Sequence, residues 1–454
     1  MGEFFGTDGI RGVAGRFPLD EATIARIGYS LVRELPARTD RAPLIISGRD
    51  TRESGTWIEH ALLRGARTAG AQVKSAGIIT TPGVAFLARI TQADAGVVIS
   101  ASHNSYEDNG IKLFATTGQK LSDAIEQAIE RDLTADPEGF PPMAGEEIAS
   151  EPQLRRRYFD FLRNEIGKGL DLTGLKIVLD CAEGAASELA PELFMSLGAA
   201  TLAIHNVPNG RNINLNCGSL HPEELQQKVV TTGADLGLAF DGDADRLMLV
   251  DDRGALLDGD YILFILAEHM RACDRLERGR VVATVMSNLG LELSLGERGI
   301  ALARTSVGDK FVLEELLAGG GSLGGEQSGH IIFPEISLAG DGMITALEVL
   351  RVLAQPAHRS SRRSLSELSR GMRRYPQVTI NVPVARKPPF ESVAPLRKAI
   401  SALDRELGGR GRLLVRYSGT ENLARVMIEG QNEIEIRRQA ETLARLIREQ
   451  LGSV

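Results

Sequence analysis

Short apolar runs alternate with amphipathic stretches along most of this chain. Runs such as "APLIIS", "AGVVIS" and "DLGLAF" predict buried strands, and helically spaced apolar residues predict helices over 56–70, 122–133 and 222–232. Strands that alternate with helices are typical of βαβ units, in which helices cover both faces of a mostly parallel sheet. The pattern therefore predicts an α/β fold for this part of the chain.

The pattern changes in the C-terminal part of the sequence. The strands "QVTINVPV", "RLLVRYS" and "ARVMIEG" are predicted there together with two helices, which is typical of an antiparallel α+β layout. Polar or Pro- and Gly-rich segments at 134–152 and 355–364 indicate domain boundaries. We expect three similar mixed-sheet α/β domains and a smaller α+β domain around a central cleft. The expected domains are residues 1–150, 151–255, 256–364 and 365–454.

Composition narrows the class of protein and its compartment. A chain of 454 residues is too long for one ordinary core, and 43% hydrophobic with 25% charged residues is ordinary for a globular protein. No apolar run approaches the ~20 residues that cross a bilayer, and the N-terminus lacks an export-signal pattern. The residues Cys181, Cys217 and Cys273 form no CxxC pair, which favours the cytoplasm. The net charge of −8 disfavours nucleic acid, so we expect a small-molecule ligand and neither nucleic acid nor membrane as a partner.

One apolar run ends in a group of small polar residues. "GVVIS" is followed by Ala101, Ser102, His103 and Asn104, and residues 108–110, Asp-Asn-Gly, predict a tight turn. In the simplest interpretation Ser102 and Asn104 satisfy stray backbone groups of a loop. The alternative is that Ser102 belongs to a ligand site, because open α/β sheets bind ligands at the ends of their strands.

A second strand ends in "DGDADR", which places Asp241, Asp243 and Asp245 at alternate positions beside Arg246. At a separation of about 5 Å and an effective dielectric constant near 20, each pair of carboxylates costs roughly 3 kcal/mol. A cation among them removes this cost, and an all-oxygen ligand set suits Mg²⁺ or Ca²⁺ rather than zinc. An EF-hand is excluded because Arg246 stands where its glycine is required and the flanks are strands. A solvated acidic turn remains the structural alternative.

Two further loops carry mixed polar groups. "GGEQSGH" places Glu326, Ser328 and His330 at alternate positions, so that an extended segment can direct all three at one hydroxyl-rich ligand. A flexible loop is the alternative. "GTDGIRG", near the N-terminus, supplies Arg11 in a glycine-rich loop and is not a dinucleotide-binding fingerprint.

The loop "RYSGTE" combines an arginine, two hydroxyl side chains and backbone N–H groups around a glycine, which suits a phosphate group. Its residues are Arg416, Ser418, Gly419 and Thr420. Many ordinary turns also read S-G-T, so this loop is weak evidence by itself. Together the four loops indicate one cleft that binds a phosphorylated, hydroxyl-rich molecule, with Mg²⁺ and a serine performing phosphoryl transfer.

These loops, in this order, resemble those of the α-D-phosphohexomutase superfamily. The resemblance rests on "FFGTDGIRG", "ISASHN", "NGIK", "DGDADR", "MSNLGLE", "GGEQSGH" and "RYSGTE", which span nearly the whole chain. The forms "EQSGH" and "GTDGIRG" favour the glucosamine branch over the glucose and mannose branches. The resemblance implies interconversion of glucosamine 6-phosphate and glucosamine 1-phosphate, which supplies UDP-N-acetylglucosamine and cell-wall precursors.

The resemblance also implies roles for individual residues. Ser102 matches the phosphorylated serine, whose phosphate binds Mg²⁺ together with the three aspartates. Arg11, His103 and Lys112 match positions beside the phosphoserine; His103 and Lys112 are candidates for proton transfer and Arg11 for electrostatic help. The implied sugar-binding residues are Glu326, Gln327, Ser328 and His330, with Ser287, Asn288 and Arg246 as further candidates. The implied phosphate-binding residues are Arg416, Ser418, Gly419, Thr420 and Arg425.

The implied reaction passes through a sugar 1,6-bisphosphate, and glucosamine or glucose 1,6-bisphosphate would act as activator by phosphorylating Ser102. The C-terminal domain would close as a lid while the intermediate turns. The sequence is compatible with a homodimer and does not determine the oligomeric state. The alternatives to this function are a glucose or mannose phosphate mutase, a metal-dependent phosphatase with an aspartyl nucleophile and a non-catalytic sugar-phosphate sensor.

Three residues depart from the pattern of the superfamily. Ser105 and Asn422 replace common prolines, and Ala244 replaces the usual middle glycine of the metal loop. The first two remove no ligand. Ala244 matters only if its φ must be positive, which would cost about 1 kcal/mol or more.

Overall fold

The computed structural model describes residues 4–6, 8–36, 41–135, 148–354, 363–418 and 421–452. The chain forms two compact units. The first consists of Met1–Met286 and Leu302–Arg370, and the second consists of Ser287–Ala301 and Gly371–Val454. Most of the two predicted boundary segments lies outside the described residues.

The first sheet has six strands. They are β1 (Phe5–Gly6), β2 (Gly9–Val13), β3 (Leu44–Arg49), β4 (Gln72–Ile78), β5 (Ala95–Ile99) and β6 (Asp108–Ala115). Their order is β1-β2-β6-β5-β3-β4, with β3 parallel to β4 and β5, and with β6 antiparallel to β2 and β5. All five residues of β5 are buried, as expected for a central strand that is covered on both faces.

The helices of this region are α1 (Glu21–Glu34), α2 (Gly55–Thr68), α3 (Thr81–Thr91), α4 (Asp123–Ala135) and α5 (Pro152–Phe161). Helices α1 and α2 approach each other closely because both carry a glycine at the contact. A Cβ atom on Gly28 would lie 1.9 Å from the carbonyl oxygen of Leu62, and one on Gly65 would lie 1.8 Å from that of Ala25. The helix pair therefore depends on these two glycines.

The second sheet has five strands. They are β7 (Lys176–Asp180), β8 (Ala200–Ile204), β9 (Leu236–Phe240), β10 (Leu247–Val250) and β11 (Leu256–Leu257). Their order is β11-β10-β9-β7-β8; β7 is parallel to β8 and β9, and β10 is antiparallel to β9 and β11. The helices between the strands are α6 (Ala186–Ser196) and α7 (Glu223–Thr232).

The third sheet has four strands. They are β12 (Arg280–Thr284), β13 (Ala301–Thr305), β14 (Gly324–Gly325) and β15 (Ile331–Ile332). Their order is β13-β12-β14-β15, with β12 parallel to β14 and β14 antiparallel to β15. The helices of this region are α8 (Gly259–Ala272), α10 (Asp309–Gly319), α11 (Gly342–Leu353) and α12 (Leu365–Leu368). Helix α9 (Leu289–Gly296) belongs to the second unit.

The C-terminal sheet is small and antiparallel. Its strands are β16 (Gln377–Pro383), β17 (Gly411–Tyr417) and β18 (Leu423–Gly430), in the order β16-β18-β17. Two helices, α13 (Ala394–Leu407) and α14 (Glu433–Leu451), place their apolar residues in one core with the strands. This is the α+β layout that the sequence predicts.

The predicted fold class is confirmed: three α/β regions with mixed sheets precede a smaller α+β region. The prediction of a tight turn at residues 108–110 is wrong, because these residues begin β6. Asn109 is buried there and donates a hydrogen bond of 2.9 Å to Ser54 Oγ.

Among the described residues, no helix is long and apolar enough to cross a membrane. The thiols of Cys181 and Cys217 are buried and that of Cys273 is exposed.

Candidate active site

The acidic loop follows β9, whose five residues are all buried. The side chains of Asp241, Asp243 and Asp245 are buried too, and one carboxylate oxygen of each lies within 4.8 Å of the others. Asp243 Oδ1 and Asp245 Oδ1 have no hydrogen-bond partner in the described part of the chain. Such atoms carry a desolvation cost that a bound cation removes. The oxygen-only donor set fits Mg²⁺.

The three carboxylates do not share their charge evenly. Burial raises the pKa of Asp241 well above its usual range, and the charges of Asp245 and Asp243 raise it further. Burial also opposes ionisation of Asp245, but Lys112 and other neighbouring cationic or hydrogen-bonding groups outweigh it and hold the pKa of Asp245 well below its usual range. Ionisation of Asp241 beside Asp245 at neutral pH therefore calls for more positive charge between them.

Ser102 lies at the carboxyl end of β5 and directs its hydroxyl at this trio. Its Oγ donates a hydrogen bond of 2.6 Å to Asp241 Oδ2, and its backbone N–H donates one of 2.9 Å to Ser100 Oγ. Ser102 has a φ of 53°, which is uncommon for a residue other than glycine. Backbone of this kind persists only where its surroundings hold it in place.

Two side chains that the sequence analysis missed hold the Ser102 loop. The guanidinium of Arg52 donates to the carbonyl oxygens of Ser102 and Asn104, at 3.2 and 2.6 Å, and is paired with Asp50. Asn214 Nδ2 donates to the same two carbonyl oxygens, each at 2.9 Å. Because Arg52 and Asn214 bind backbone atoms and belong to distant segments, no local motif identifies them.

Thr81 holds the acidic loop in a similar way. It is the first residue of α3, and its N–H donates to the carbonyl oxygen of Asp243 at 3.0 Å. Its hydroxyl donates to Asp243 Oδ2 at 2.5 Å. The sequence signal is only the Thr80–Thr81–Pro82 helix start, which predicts a cap and not a contact with another sheet.

Lys112 lies on β6 and is 1% exposed. Its Nζ lies 2.8 Å from Asp243 Oδ2, 3.3 Å from Asp245 Oδ2 and 3.2 Å from Asp8 Oδ2. Burial alone would lower the pKa of Lys112, but Asp243, Asp8 and Asp245 outweigh burial and hold it well above its usual range. In this arrangement Lys112 is therefore an ammonium group and a source of positive charge.

His103 has the opposite electrostatic character. Its Nδ1 lies 3.3 Å from Ser102 Oγ. Burial, followed by the positive charges of Arg246 and Arg11, lowers the pKa of His103 to about 4. A neutral imidazole beside the hydroxyl can accept a proton at neutral pH.

Arg11 and Arg246 line the same cavity as Asp245 of the acidic loop. Arg11 Nη2 lies 2.5 Å from Asp8 Oδ2. The backbone N–H of Arg246 donates to Asp241 Oδ1 at 3.2 Å, and its Nε lies 3.8 Å from Asp245 Oδ1. A cavity of about 460 Å³ opens beside these groups. Its lining includes Asp8, Arg11, His103, Arg246, Glu326 and His330.

The predicted sugar-binding loop joins β14 to β15, and its four candidate residues do not share one direction. Glu326 reaches the cavity, and its Oε1 accepts a hydrogen bond of 3.2 Å from the N–H of Gly308. Gln327 Nε2 instead donates to Asp260 Oδ2 at 3.2 Å, near the start of α8. His330 Nε2 accepts a hydrogen bond of 3.1 Å from the N–H of Gly340. Ser328 does not line the 460 Å³ cavity.

His330 therefore faces the acidic loop as well as the cavity. Its Nε2 lies 3.1 Å from the backbone nitrogen of Gly340, and its Nδ1 lies 3.7 Å from Asp245 Oδ2. Burial opposes protonation of His330, but Asp245 and the neighbouring carboxylates outweigh burial and raise its pKa to about 9, which favours a proton on the Nδ1 that faces Asp245. The geometry thus gives Glu326 the best access to a ligand in the cavity, and His330 a role at the acidic loop.

Ser287 and Asn288 belong to the second unit. Asn288 caps α9: its Oδ1 accepts from the N–H of Gly290 and of Tyr375, both at 2.9 Å. Its Nδ2 donates to Tyr375 O at 3.0 Å and to the buried carboxylate of Glu429 at 3.1 Å. The amide of Asn288 is fully engaged within the unit, which explains the residue without a ligand.

The predicted phosphate-binding loop of the second unit begins at the end of β17. Arg416 and Arg425 are direct neighbours on the antiparallel strands β17 and β18. Like charges opposite each other destabilise a sheet unless an anion balances them. Burial and the charge of Arg425 lower the pKa of Arg416. Ser418 is buried and its carbonyl oxygen accepts from Lys387 Nζ at 3.0 Å; Gly419 and Thr420 lie outside the described residues.

Ala244, the departure from the usual glycine, has a φ of 56° and is buried. The position does require the left-handed region, so alanine costs about 1–2 kcal/mol of backbone strain here. About 0.8 kcal/mol returns through burial of its methyl group. The metal loop keeps its shape with alanine in place.

Comparison with known proteins matches four family models to this chain. They are described as phosphoglucomutase/phosphomannomutase α/β/α domains I, II and III, over residues 2–139, 156–254 and 258–375, and the C-terminal domain, over residues 380–446. A phosphoglucosamine mutase of Koribacter versatilis is 46% identical over 461 residues, which cover 99% of this chain and 97% of that protein.

Solved structures of similar fold cover nearly the whole chain. A phosphoglucomutase/phosphomannomutase family protein of Burkholderia thailandensis has a TM-score of 0.78 at 25% identity and covers 98% of this chain and 97% of its own. N-acetylphosphoglucosamine mutase of Aspergillus fumigatus, in complex with GlcNAc-6P and magnesium, has a TM-score of 0.67 at 18% identity, with coverage of 98% and 95%. With four matching domains and a relative this similar over its full length, the chain belongs to the phosphoglucomutase/phosphomannomutase family.

Proposed function

We propose that this protein is a phosphoglucosamine mutase, an isomerase that interconverts glucosamine 6-phosphate and glucosamine 1-phosphate. Curated relatives about as long as this chain and 46% identical to it carry that name. The observation that carries the proposal is the hydrogen bond of 2.6 Å from Ser102 Oγ to Asp241 within the buried acidic trio. This contact supports a role for Ser102 as the carrier of the phosphoryl group, next to a divalent cation held by the trio.

We propose that Asp241, Asp243 and Asp245 hold Mg²⁺ together with a phosphate on Ser102. The unpaired buried oxygens of Asp243 and Asp245 support this assignment. A Mg²⁺ ion bound there would neutralise charge on the transferring phosphoryl group. Lys112, an ammonium group in contact with Asp243 and Asp245, adds positive charge at the same place.

In the proposed reaction the phosphoryl group of Ser102 passes to the free hydroxyl of the sugar phosphate. The P–O bond to Ser102 Oγ breaks, a P–O bond to the sugar oxygen forms, and the proton of the sugar hydroxyl passes through a base to Ser102 Oγ. The resulting 1,6-bisphosphate turns and returns its other phosphoryl group to Ser102. We assign the first proton to His103, because its neutral imidazole lies next to Ser102.

Substrate binding is assigned to two groups of residues. We propose that Glu326 and Arg246, which line the 460 Å³ cavity, contact the sugar and its charged groups. The phosphate that is not being transferred is proposed to bind to Arg416, Ser418, Gly419, Thr420 and Arg425. The opposed pair Arg416 and Arg425 supports the binding of an anion at this place. The same proposal includes the domain boundaries given above and closure of the C-terminal domain. It also includes a cytoplasmic location and activation by a sugar 1,6-bisphosphate.

We expect the purified protein to carry phosphate on part of its molecules, at Ser102 and at no other serine. Ser102→Ala should remove nearly all turnover; because the buried hydroxyl donates to Asp241, the free energy of unfolding should fall by about 1–3 kcal/mol while the protein still folds. Ser105→Ala, at an exposed serine in the same loop, is the matched control and should stay active. Intact mass, peptide mapping and a coupled assay measure these effects; phosphate on Ser100 or Ser105 instead would refute the assignment.

Activity should depend on a divalent cation held by the acidic loop. Asp243→Asn removes one negative ligand and should weaken Mg²⁺ binding at least about tenfold, with a parallel loss of turnover. Asp274→Asn changes an exposed aspartate and is the control. Titration calorimetry with Mg²⁺ gives the affinities, and full activity in excess chelator would contradict the role of the trio.

His103 should remain neutral over the working pH range. Because its folded-state pKa of about 4 lies below the usual value of about 6.5, the unfolded chain binds the proton first. The contribution of this group to stability is therefore lost as pH falls from about 6.5 towards 4. In dephosphorylated, metal-free protein, the NMR signals assigned to His103 through His103→Gln should not titrate between about pH 8 and pH 5. A midpoint near 6.5 would contradict the proposed role.

Glucosamine phosphates should be the preferred substrates, because the carboxylate of Glu326 favours a sugar that carries an ammonium group. One charge-assisted hydrogen bond is worth roughly 1.5–3 kcal/mol, or about ten- to a hundredfold in kcat/KM over glucose phosphates. Glu326→Gln should reduce this preference, whereas Glu188→Gln, at an exposed glutamate of α6, should not. If glucose or mannose phosphate has the higher kcat/KM in wild type, the protein acts in another branch of the family.

A further inference from the structure

A second cluster of metal-ligating side chains lies at the carboxyl edge of the second sheet, away from the acidic trio in sequence. Asp180 ends β7, His205 follows β8, and Cys217 precedes the turn Gly218–Leu220. One ligand atom of each lies within 4.8 Å of the other two. Asp180 and Cys217 are 0% and 1% exposed, and the His205 side chain is 20% exposed.

The donor atoms of this cluster differ from those of the trio. A carboxylate oxygen, an imidazole nitrogen and a cysteine sulfur are the ligands of zinc-type ions, whereas Mg²⁺ prefers oxygen alone. We propose that Asp180, His205 and Cys217 bind one divalent transition-metal ion of the zinc type. Three protein ligands occupy three positions of a four-coordinate ion and leave the fourth open.

The two nitrogens of His205 are placed as a metal-binding histidine requires. Nδ1 is buried and makes no hydrogen bond of good geometry in the described part of the chain, although Asp180 Oδ1 lies 3.1 Å away. Nε2 lies 3.3 Å from Glu224 Oε2. A histidine that binds a metal through one nitrogen usually donates its other N–H to a carboxylate, which fixes the ring. Glu224 is therefore a positioning residue of the proposed site.

The backbone around the cluster is held in unfavourable conformations. Ten described residues other than glycine have a positive φ, and five of them lie in these segments. They are Ala182, Glu183, His205, Asn214 and Asn216. Such conformations persist where further interactions hold the chain in place. An ion bound by all three segments would supply these interactions.

The site would act on the phosphoryl-carrying loop through Asn214. This residue lies between His205 and Cys217 in the chain, and its Nδ2 binds the carbonyl oxygens of Ser102 and Asn104. An ion bound by the residues on either side of Asn214 would fix the segment that holds Ser102. The assignment of the ion does not depend on the proposed mutase activity, because it concerns other side chains.

Full-length wild-type protein tests the proposal directly. After removal of metals by a chelator, it is titrated with Zn²⁺ and separately with Co²⁺, and bound metal is counted by mass spectrometry. We expect one tightly bound Zn²⁺ per chain that excess Mg²⁺ does not displace. The Co²⁺ form should show a thiolate-to-metal charge-transfer band, which the oxygen-only trio cannot produce.

Variants locate the ion. Cys217→Ser should abolish the charge-transfer band, and Glu224→Gln should weaken Zn²⁺ binding about ten- to a hundredfold while keeping the band. Asp243→Asn should keep the band and the tight Zn²⁺. Cys273→Ser is the matched control, because Cys273 also lies near a histidine, with Sγ 3.9 Å from His269 Nε2; its band should equal that of wild type.

Two results would overturn the assignment. If wild type binds no Zn²⁺ that survives excess Mg²⁺ and gives no thiolate band with Co²⁺, then His205 is a protonated side chain paired with Asp180 and Glu224. If the band appears but Cys273→Ser removes it, the thiolate ligand is Cys273 at the end of α8 and not Cys217. Both results can be read from wild type and a surface variant, so they do not require that Cys217→Ser folds.

Discussion

The acidic loop of three buried aspartates is the constraint on which the arrangement of the first unit depends. The three carboxylates belong to one short loop and are buried, and one oxygen of each lies within 4.8 Å of the others. At an effective dielectric constant near 20 each close pair costs roughly 3 kcal/mol, so the group cannot remain ionised without compensating charge. The side chains around it supply that compensation in part: Lys112 as an ammonium group, Arg246 through its backbone N–H and its guanidinium, and Thr81 and Ser102 as hydroxyl donors.

A phosphate on Ser102 would add negative charge to this centre. This explains why a cation site, and not only hydrogen-bond donors, belongs beside the serine. The groups around the acidic loop also explain why His103 and Lys112 differ in charge. Burial and arginines lower the pKa of His103, whereas carboxylates raise that of Lys112, so that a neutral imidazole in the loop after β5 and an ammonium group on β6 stand beside the acidic loop.

The sequence predicts those parts of the fold and site that are encoded in contiguous segments. Strand and helix periodicity locates most elements within a few residues, and the residues that bear the proposed chemistry follow strand ends in recognisable loops. Arg52, Asn214 and Thr81 were not predicted because they act on backbone atoms of segments far away in the chain. The direction of the Gln327 side chain also could not be predicted, because it depends on how the loop between β14 and β15 folds. Only the contact of Gln327 with Asp260 shows where its amide is directed.

The most direct test of the account is the fate of the phosphoryl group on Ser102. Enzyme carrying radiolabelled phosphate at Ser102 is mixed with unlabelled glucosamine 6-phosphate in a single turnover, and the products are quenched and separated. The account predicts that the label appears first in the sugar 1,6-bisphosphate and then in glucosamine monophosphate, with no free phosphate released. Release of the label as inorganic phosphate, or its retention on Ser102 while product forms, would contradict phosphoryl transfer through this serine.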